Sequence, residues 1–134
     1  MADYEFQITG LRDSPEDLSE NVNNLAGKRL AMALCDGFAA AGYECEEVGA
    51  EDWGWYFTAT RSGARYLVGA MTHQDPEDAA TDRPLWGRVF VNHDRGLFDR
   101  LRGRNRPDPN DRSAEVLRAL LEARPEIGGI EAVE

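Results

Sequence analysis

The sequence lacks the features that would place the protein outside the cytoplasm. It has two cysteines, Cys35 and Cys45, too few for the disulfide framework of a small secreted domain. No stretch approaches the roughly 18 consecutive apolar residues of a membrane span. The first ten residues lack the basic and apolar regions of a secretory signal. We therefore expect a cytoplasmic protein with reduced thiols and no membrane partner.

Catalytic and cofactor motifs are also missing. No serine lies in a G-x-S-x-G nucleophile elbow, and no glycine-rich segment matches a phosphate-binding loop. His73 and His93 could bind a divalent metal with a nearby carboxylate only if the ends of their two strands met at one edge of the sheet. We therefore predict no catalytic residues, no cofactor and no metal.

Basic charge is scarce. The chain has 15 lysines and arginines against 25 acids, a net charge of −10, and its only lysine is Lys28. A bacterial genome rich in G and C would produce the same preference for arginine. Residues 1–52 contain twelve acids and three bases (−9), whereas residues 95–106 contain five arginines and one aspartate (+4). A surface this acidic repels duplex DNA, so the expected partner is a basic protein.

Helical patterns occur in three places. Apolar residues recur at intervals of three and four from about residue 24 to 41, and Gly42 is a natural end for that helix. A second stripe predicts a helix over residues 112–123. Ser14 followed by Pro15 is typical of a helix start, but whether residues 13–22 form a separate helix stays open.

Two β-rich runs around "RSGA" predict a hairpin. The loop length places Trp55 opposite Ala70 and Phe57 opposite Val68. We expect the side of the sheet with Trp53, Trp55 and Phe57 to be covered by helices, because it is the more apolar side.

The opposite side of the predicted sheet is a candidate binding surface, because large aromatic side chains on an uncovered face often mark partner or ligand sites. Gly69 is expected to leave space there for the ring of Tyr56. The candidate binding residues, including two strand-end histidines, are Tyr56, Met71, Trp86, Arg88, Phe90, His73 and His93.

The element order β-α-β-β-β-β-α predicts a single domain, residues 1–134, of the α+β class. We expect a two-layer sandwich with a mainly antiparallel sheet of about four to five strands and two principal helices on one face.

Composition favours a small, acidic, non-catalytic protein-binding module, of the general type of bacterial inhibitors and immunity proteins, whose acidic surfaces cover basic sites. The alternative is a small-molecule-binding domain or weak enzyme. Its pocket would lie between the sheet, loop 73–84 and the arginine segment 95–106, with Arg88, His73 and His93 as polar groups. A third possibility is self-association through the exposed aromatic residues.

Overall fold

The computed structural model describes residues 2–75 and 83–133, which contain seven strands and four helices. The strands are β1 (Ala2–Ile8), β2 (Glu44–Cys45), β3 (Gly49–Glu51), β4 (Gly54–Arg61), β5 (Ala64–Thr72), β6 (Leu85–His93) and β7 (Ile127–Ala132). The helices are α1 (Pro15–Ser19), α2 (Lys28–Ala40), α3 (Leu97–Leu101) and α4 (Ser113–Glu122). Most of the predicted loop over residues 73–84 lies outside the described residues.

The strands form one sheet in the order β2-β4-β5-β6-β1-β7, and β3 also pairs with β4. Every described pairing is antiparallel. The predicted α+β class and mainly antiparallel sheet are confirmed. The predicted strand number and order are wrong for two reasons. The segment between α2 and β4 forms two short strands instead of one, and β7 returns to pair with β1.

The β4–β5 hairpin has the predicted register. Trp55 pairs with Ala70 and Phe57 with Val68, and the pairing continues to Arg61 and Ala64. The turn residues Ser62 and Gly63 both have positive φ, 53° and 78°. Such a turn suits the right-handed twist of the two strands, so local turn chemistry is sufficient to fix this register.

Helix α2 is shorter than predicted because the segment before it is a polar turn. Asn24 has φ of 54° and Gly27 has φ of 134°, neither of which is helical. The Asn21 amide donates to the carbonyl oxygens of Glu51 and Gly54, at 2.9 and 3.0 Å, and so ties this turn to β3 and β4. The open question over residues 13–22 is also answered: α1 is a separate helix, and the side chain of its N-cap Ser14 accepts from Asp17 N.

The N-terminus of α2 is capped from outside the helix. Its own N-cap is Gly27, which has no side chain to offer. The Asp13 carboxylate instead accepts from the backbone N–H groups of Gly27, Lys28 and Arg29 at 2.9, 3.0 and 2.9 Å. Asp13 is only 2% exposed. A buried anion therefore satisfies N–H groups that a helix start leaves without intrahelical partners.

Helices α2 and α4 pack against one face of the sheet and against each other. The core lies between these layers, and the Phe38 and Phe57 rings meet there with centroids 5.8 Å apart. Trp55 is 2% exposed, and its indole donates to the Leu25 carbonyl oxygen at 2.8 Å. Burying an aromatic side chain of this size contributes about 4–6 kcal/mol before the entropic cost is counted.

Candidate binding face of the sheet

The face of the sheet opposite α2 and α4, here called the outer face, carries five of the seven candidate residues. Alternation along the strands places them there, since Trp55 and Phe57 point into the core. Four of the five are half-buried by their neighbours, and Trp86 is 41% exposed. The five are Tyr56, Met71, Trp86, Arg88 and Phe90.

Trp53 also belongs to the outer face, so its predicted place on the Trp55 side is wrong. Its ring lies 5.3 Å from that of Phe90, centroid to centroid, at 47°. Trp53 lies in the turn between β3 and β4, where the alternation of a strand does not apply. The in-and-out alternation of side chains holds only from Gly54 onward, where β4 begins. The turn-forming residues "EDWG" are the sequence feature that indicates this limit.

Two glycines make room for rings on the outer face. A Cβ added to Gly69 would overlap the Phe90 ring and approach the Trp53 ring at 2.8 Å. Gly69 pairs with Phe90 across β5 and β6, so the space we predicted for Tyr56 is occupied by Phe90 instead. The Tyr56 ring lies over Gly49, its partner on β3, where an added Cβ would be 3.0 Å from the ring.

A pocket of about 380 Å³ opens at the end of the outer face where β5 ends and β6 begins. Trp53, Met71, His73 and Trp86 line it, together with the α1–α2 connection. Gln74 fixes one wall, because its side-chain amide donates to Asp13 O at 2.9 Å and accepts from Asp13 N at 3.0 Å. Sequence reasoning missed Trp53 and Gln74, since both lie outside the strands.

Trp86 separates this pocket from a second hollow of about 350 Å³ on the β1–β7 side. Glu5, Gln7 and Glu131 line that second hollow. Glu5 and Glu131 lie opposite each other on β1 and β7, so two carboxylates sit side by side next to an exposed indole. This side of Trp86 is therefore acidic.

Arg88 is directed away from the pocket. Its guanidinium forms two bonds with the Asp3 carboxylate on β1, at 2.9 and 2.6 Å. The hydrogen bond that Arg88 donates to Asp3 is the main reason that the pKa of Arg88 is raised. A paired arginine of this kind holds β1 to β6 and has less capacity to bind an incoming anion.

The two histidines lie at opposite ends of the sheet, so the condition for a shared metal site is not met. His73 follows β5 beside the pocket, whereas His93 ends β6. The nine residues of β6 make eight steps of about 3.4 Å, which separate its two ends by roughly 27 Å. His93 Nε2 lies 3.0 Å from Asn105 O, and its ring packs 5.6 Å from that of Tyr66. Within residues 2–75 and 83–133, no group of three His, Cys, Asp or Glu residues is placed to hold a metal ion.

The arginine segment 95–106 lies at the His93 end. Arg65 reaches it from β5, with ion pairs of 3.3 Å to Asp94 and 3.1 Å to Asp99. Residues 76–82 of loop 73–84 lie outside the described residues, so the single pocket between that loop and this segment stays a prediction. The two strand ends that would form it are separated by the length of β6.

Cys35 and Cys45 are both free thiols. Cys35 Sγ lies 3.7 Å from Glu46 O, so α2 meets the chain directly after β2 at this point. Burial raises the pKa of Cys35, and it raises the pKa of Cys45 to about 12. Both thiols are therefore protonated at neutral pH and are poor nucleophiles.

Among the described residues, no helix is both long and apolar enough to cross a membrane. Comparison with protein-family models, with curated proteins and with solved structures found no match to this chain.

Proposed function

We propose that the protein is a protein-binding module of the inhibitor type, which engages a basic partner through the outer face around Trp86. The observation that carries this proposal is the difference between the two faces. Two helices cover one face, whereas the other exposes an indole between an apolar pocket and a pair of carboxylates. Exposed tryptophans beside pockets are frequent centres of protein interfaces.

Charge on the outer face favours a basic partner. By strand alternation, five acids and two arginines project from it, which gives −3. Both arginines already pair with carboxylates, Arg88 with Asp3 and Arg65 with Asp94 and Asp99. The five acids are Asp3, Glu5, Glu44, Glu51 and Glu131.

The attraction should be strongest on the β1–β7 side of Trp86. Arg12 and Arg83 also lie at the end of the sheet where β6 begins, and Arg12 donates to the Arg83 carbonyl. Their charges reduce the attraction for a cation beside the pocket itself. We therefore expect the partner's basic groups to contact Glu5 and Glu131, and its apolar groups to enter the pocket.

A small-molecule site is the second candidate, and the pocket itself favours it. Its volume of about 380 Å³ lies within the usual range for ligand sites. Two indoles and a thioether supply an apolar wall, and the amide of Gln74 is rigidly held. The ligand would then occupy the pocket without using the acids of β1 and β7.

The test compares three variants as bait for cross-linked capture from lysate. Trp86→Ser and Glu5→Lys change the outer face. Met32→Ser is the matched control, because Met32 is 46% exposed but lies on α2 in the other layer. We expect wild type and the control to capture the same basic protein, and the two outer-face variants to lose it. Capture should weaken as salt rises from about 0.05 to 0.5 M.

Two results would contradict the proposal. One is a captured protein that the outer-face variants retain. The other is a ligand-induced rise in melting temperature from a metabolite panel that Trp86→Ser abolishes and Glu5→Lys leaves intact, because that pattern matches the small-molecule site. In either experiment, the NMR indole signal of buried Trp55 serves as an internal reference for an unchanged core.

A further inference from the structure

Helix α3 exposes an apolar patch that the core does not use. Leu97, Phe98 and Leu101 are 69%, 76% and 74% exposed. A single exposed leucine is ordinary, because folded proteins have much apolar surface. Three large apolar side chains on a five-residue helix form a cluster, and such clusters mark interaction sites.

The segment around α3 is held in a defined shape. Arg65 N donates to the Asn105 side-chain oxygen at 2.5 Å, and the Asn105 amide donates to Asp99 at 3.2 Å. The hydrogen bond from Asn105 is the first cause of the lowered pKa of Asp99. The one acid of the segment, Asp99, is thus held by Arg65 on β5 and by Asn105 within the segment. These contacts hold the backbone of the segment, and the side chains of Leu97, Phe98 and Leu101 project into solvent.

The arginines of the segment remain available. Arg95 and Arg106 donate to backbone carbonyls of the same segment, at 3.3 and 3.1 Å. The ion pairs found within residues 2–75 and 83–133 use other bases: Lys28, Arg29, Arg65, Arg88, Arg118 and Arg124. Among the described residues, none of these ion pairs involves an arginine of residues 95–106.

We infer that this surface docks on the outer face of a second copy of the chain, around Trp86. We call it the α3 patch, and it consists of Leu97, Phe98, Leu101 and the five arginines of residues 95–106. The inference rests on the proposed function, because it assigns to the same outer face a basic surface that a second copy of this otherwise acidic chain carries. The partner's apolar groups would enter the pocket beside Trp53, and its arginines would meet Glu5 and Glu131.

Charge complementarity points to a second copy. The chain carries −10 in total and the segment carries +4, so all other residues together carry −14. The outer face offers both things that the α3 patch needs, an apolar pocket and the carboxylates of Glu5 and Glu131, although Arg88 lies opposite Glu5 and offsets part of its charge. The same molecule cannot provide them, because the two surfaces lie at opposite ends of β6. An anionic membrane or a nucleic acid fits less well, since the remaining surface would repel either.

The contact joins unlike surfaces, so it is heterologous and leads to open chains of molecules unless a ring closes. The net charge of each copy opposes it. At about 0.15 M salt the Debye length is about 8 Å, so charges at the contact count more than distant ones. We therefore expect weak association that depends on concentration.

The test uses two full-length variants in sedimentation velocity and light scattering. Variant A carries Leu97→Ser and Phe98→Ser and keeps the outer face. Variant B carries Trp86→Ser and Glu5→Lys and keeps the α3 patch. Wild type should gain mass with concentration, and each variant alone should associate at least about tenfold more weakly. An equimolar mixture of A and B should form a 1:1 dimer and nothing larger, because one functional contact remains.

Three outcomes would overturn the inference. The first is a wild-type protein that stays monomeric near 1 mM, a concentration on the order of the dissociation constants of the weakest specific contacts. The second is self-association of variant B as strong as that of wild type. The third is a mixture of A and B that does not pair although both variants melt like wild type. If wild type is monomeric but a different basic protein binds in a Trp86-dependent manner, the inference fails and the proposed function stands. If neither occurs, both fail.

Discussion

Replacing Asp13 by asparagine should destabilise the protein by about 2–4 kcal/mol, although the two side chains have nearly the same shape. The Asp13 carboxylate accepts three backbone N–H groups at the start of α2, each at 2.9–3.0 Å. An asparagine side chain keeps one oxygen and turns an NH₂ group toward donors. At least one N–H of the helix start then loses its acceptor.

The magnitude follows from two contributions. A hydrogen bond to a charged group contributes about 1.5–3 kcal/mol. The interaction of an anion with the positive end of a helix adds about 0.3–2 kcal/mol, and the higher values apply where the anion is buried, as it is here. Alanine removes every acceptor, so Asp13→Ala should cost about 3–5 kcal/mol.

Urea unfolding followed by circular dichroism measures the change. Asp36→Asn is the matched control, because Asp36 is an exposed acid on the same helix and the charge change is equal. We expect the control to shift the free energy of unfolding by no more than about 0.5 kcal/mol. If Asp13→Asn falls within that range as well, the buried cap does not stabilise α2 and the reasoning is refuted.

The hydrogen bonds from Ser14 and Arg29 outweigh burial and lower the pKa of Asp17 to about 2, below its unfolded value near 3.9. The stabilisation from ionised Asp17 is present above pH 4 and is lost as pH falls toward 2. Asp17→Asn should therefore lower the free energy of unfolding by about 2 kcal/mol at pH 7, and the stability of this variant should fall less steeply between pH 4 and pH 2 than that of wild type. Gly69→Ala should lower the free energy of unfolding by about 1–3 kcal/mol, because the added Cβ overlaps the Phe90 ring, and adding Phe90→Leu should restore at least half of that loss. A double-mutant cycle that shows no coupling between the two positions would exclude this overlap. At pH 8, Cys45 should react with iodoacetamide at least about a hundredfold more slowly than free cysteine until urea unfolds the protein, and fast labelling of the native state would contradict the burial effect.

Local patterns were sufficient for the elements that depend on neighbouring residues. The β4–β5 register followed from a short turn between two alternating runs, and the start of α1 followed from Ser14 and Pro15. Gly42 has φ of 99° directly after the α2 C-cap, as its place at the end of the helix predicts. In each case the controlling interactions lie within a few residues of one another.

Contacts between distant segments were not predictable in the same way. The pairing of β7 with β1 joins the last described strand to the first, and no local pattern specifies it. The capping of α2 by Asp13 requires the α1–α2 connection to bend back, which the residue types do not indicate. The histidines illustrate the same limit, because their separation depends on strand direction and not on their neighbours.

The place of β1 in the sheet has a consequence for folding kinetics. Its two neighbours are β6 and β7, so Ala2 pairs with Val91 and Ile8 with Ile127. Closing such long loops costs entropy that the β4–β5 hairpin does not incur. We expect the hairpin and α2 to form in the transition state and β1 to join afterwards. Substitutions in β1 should then speed unfolding and leave the refolding rate almost unchanged.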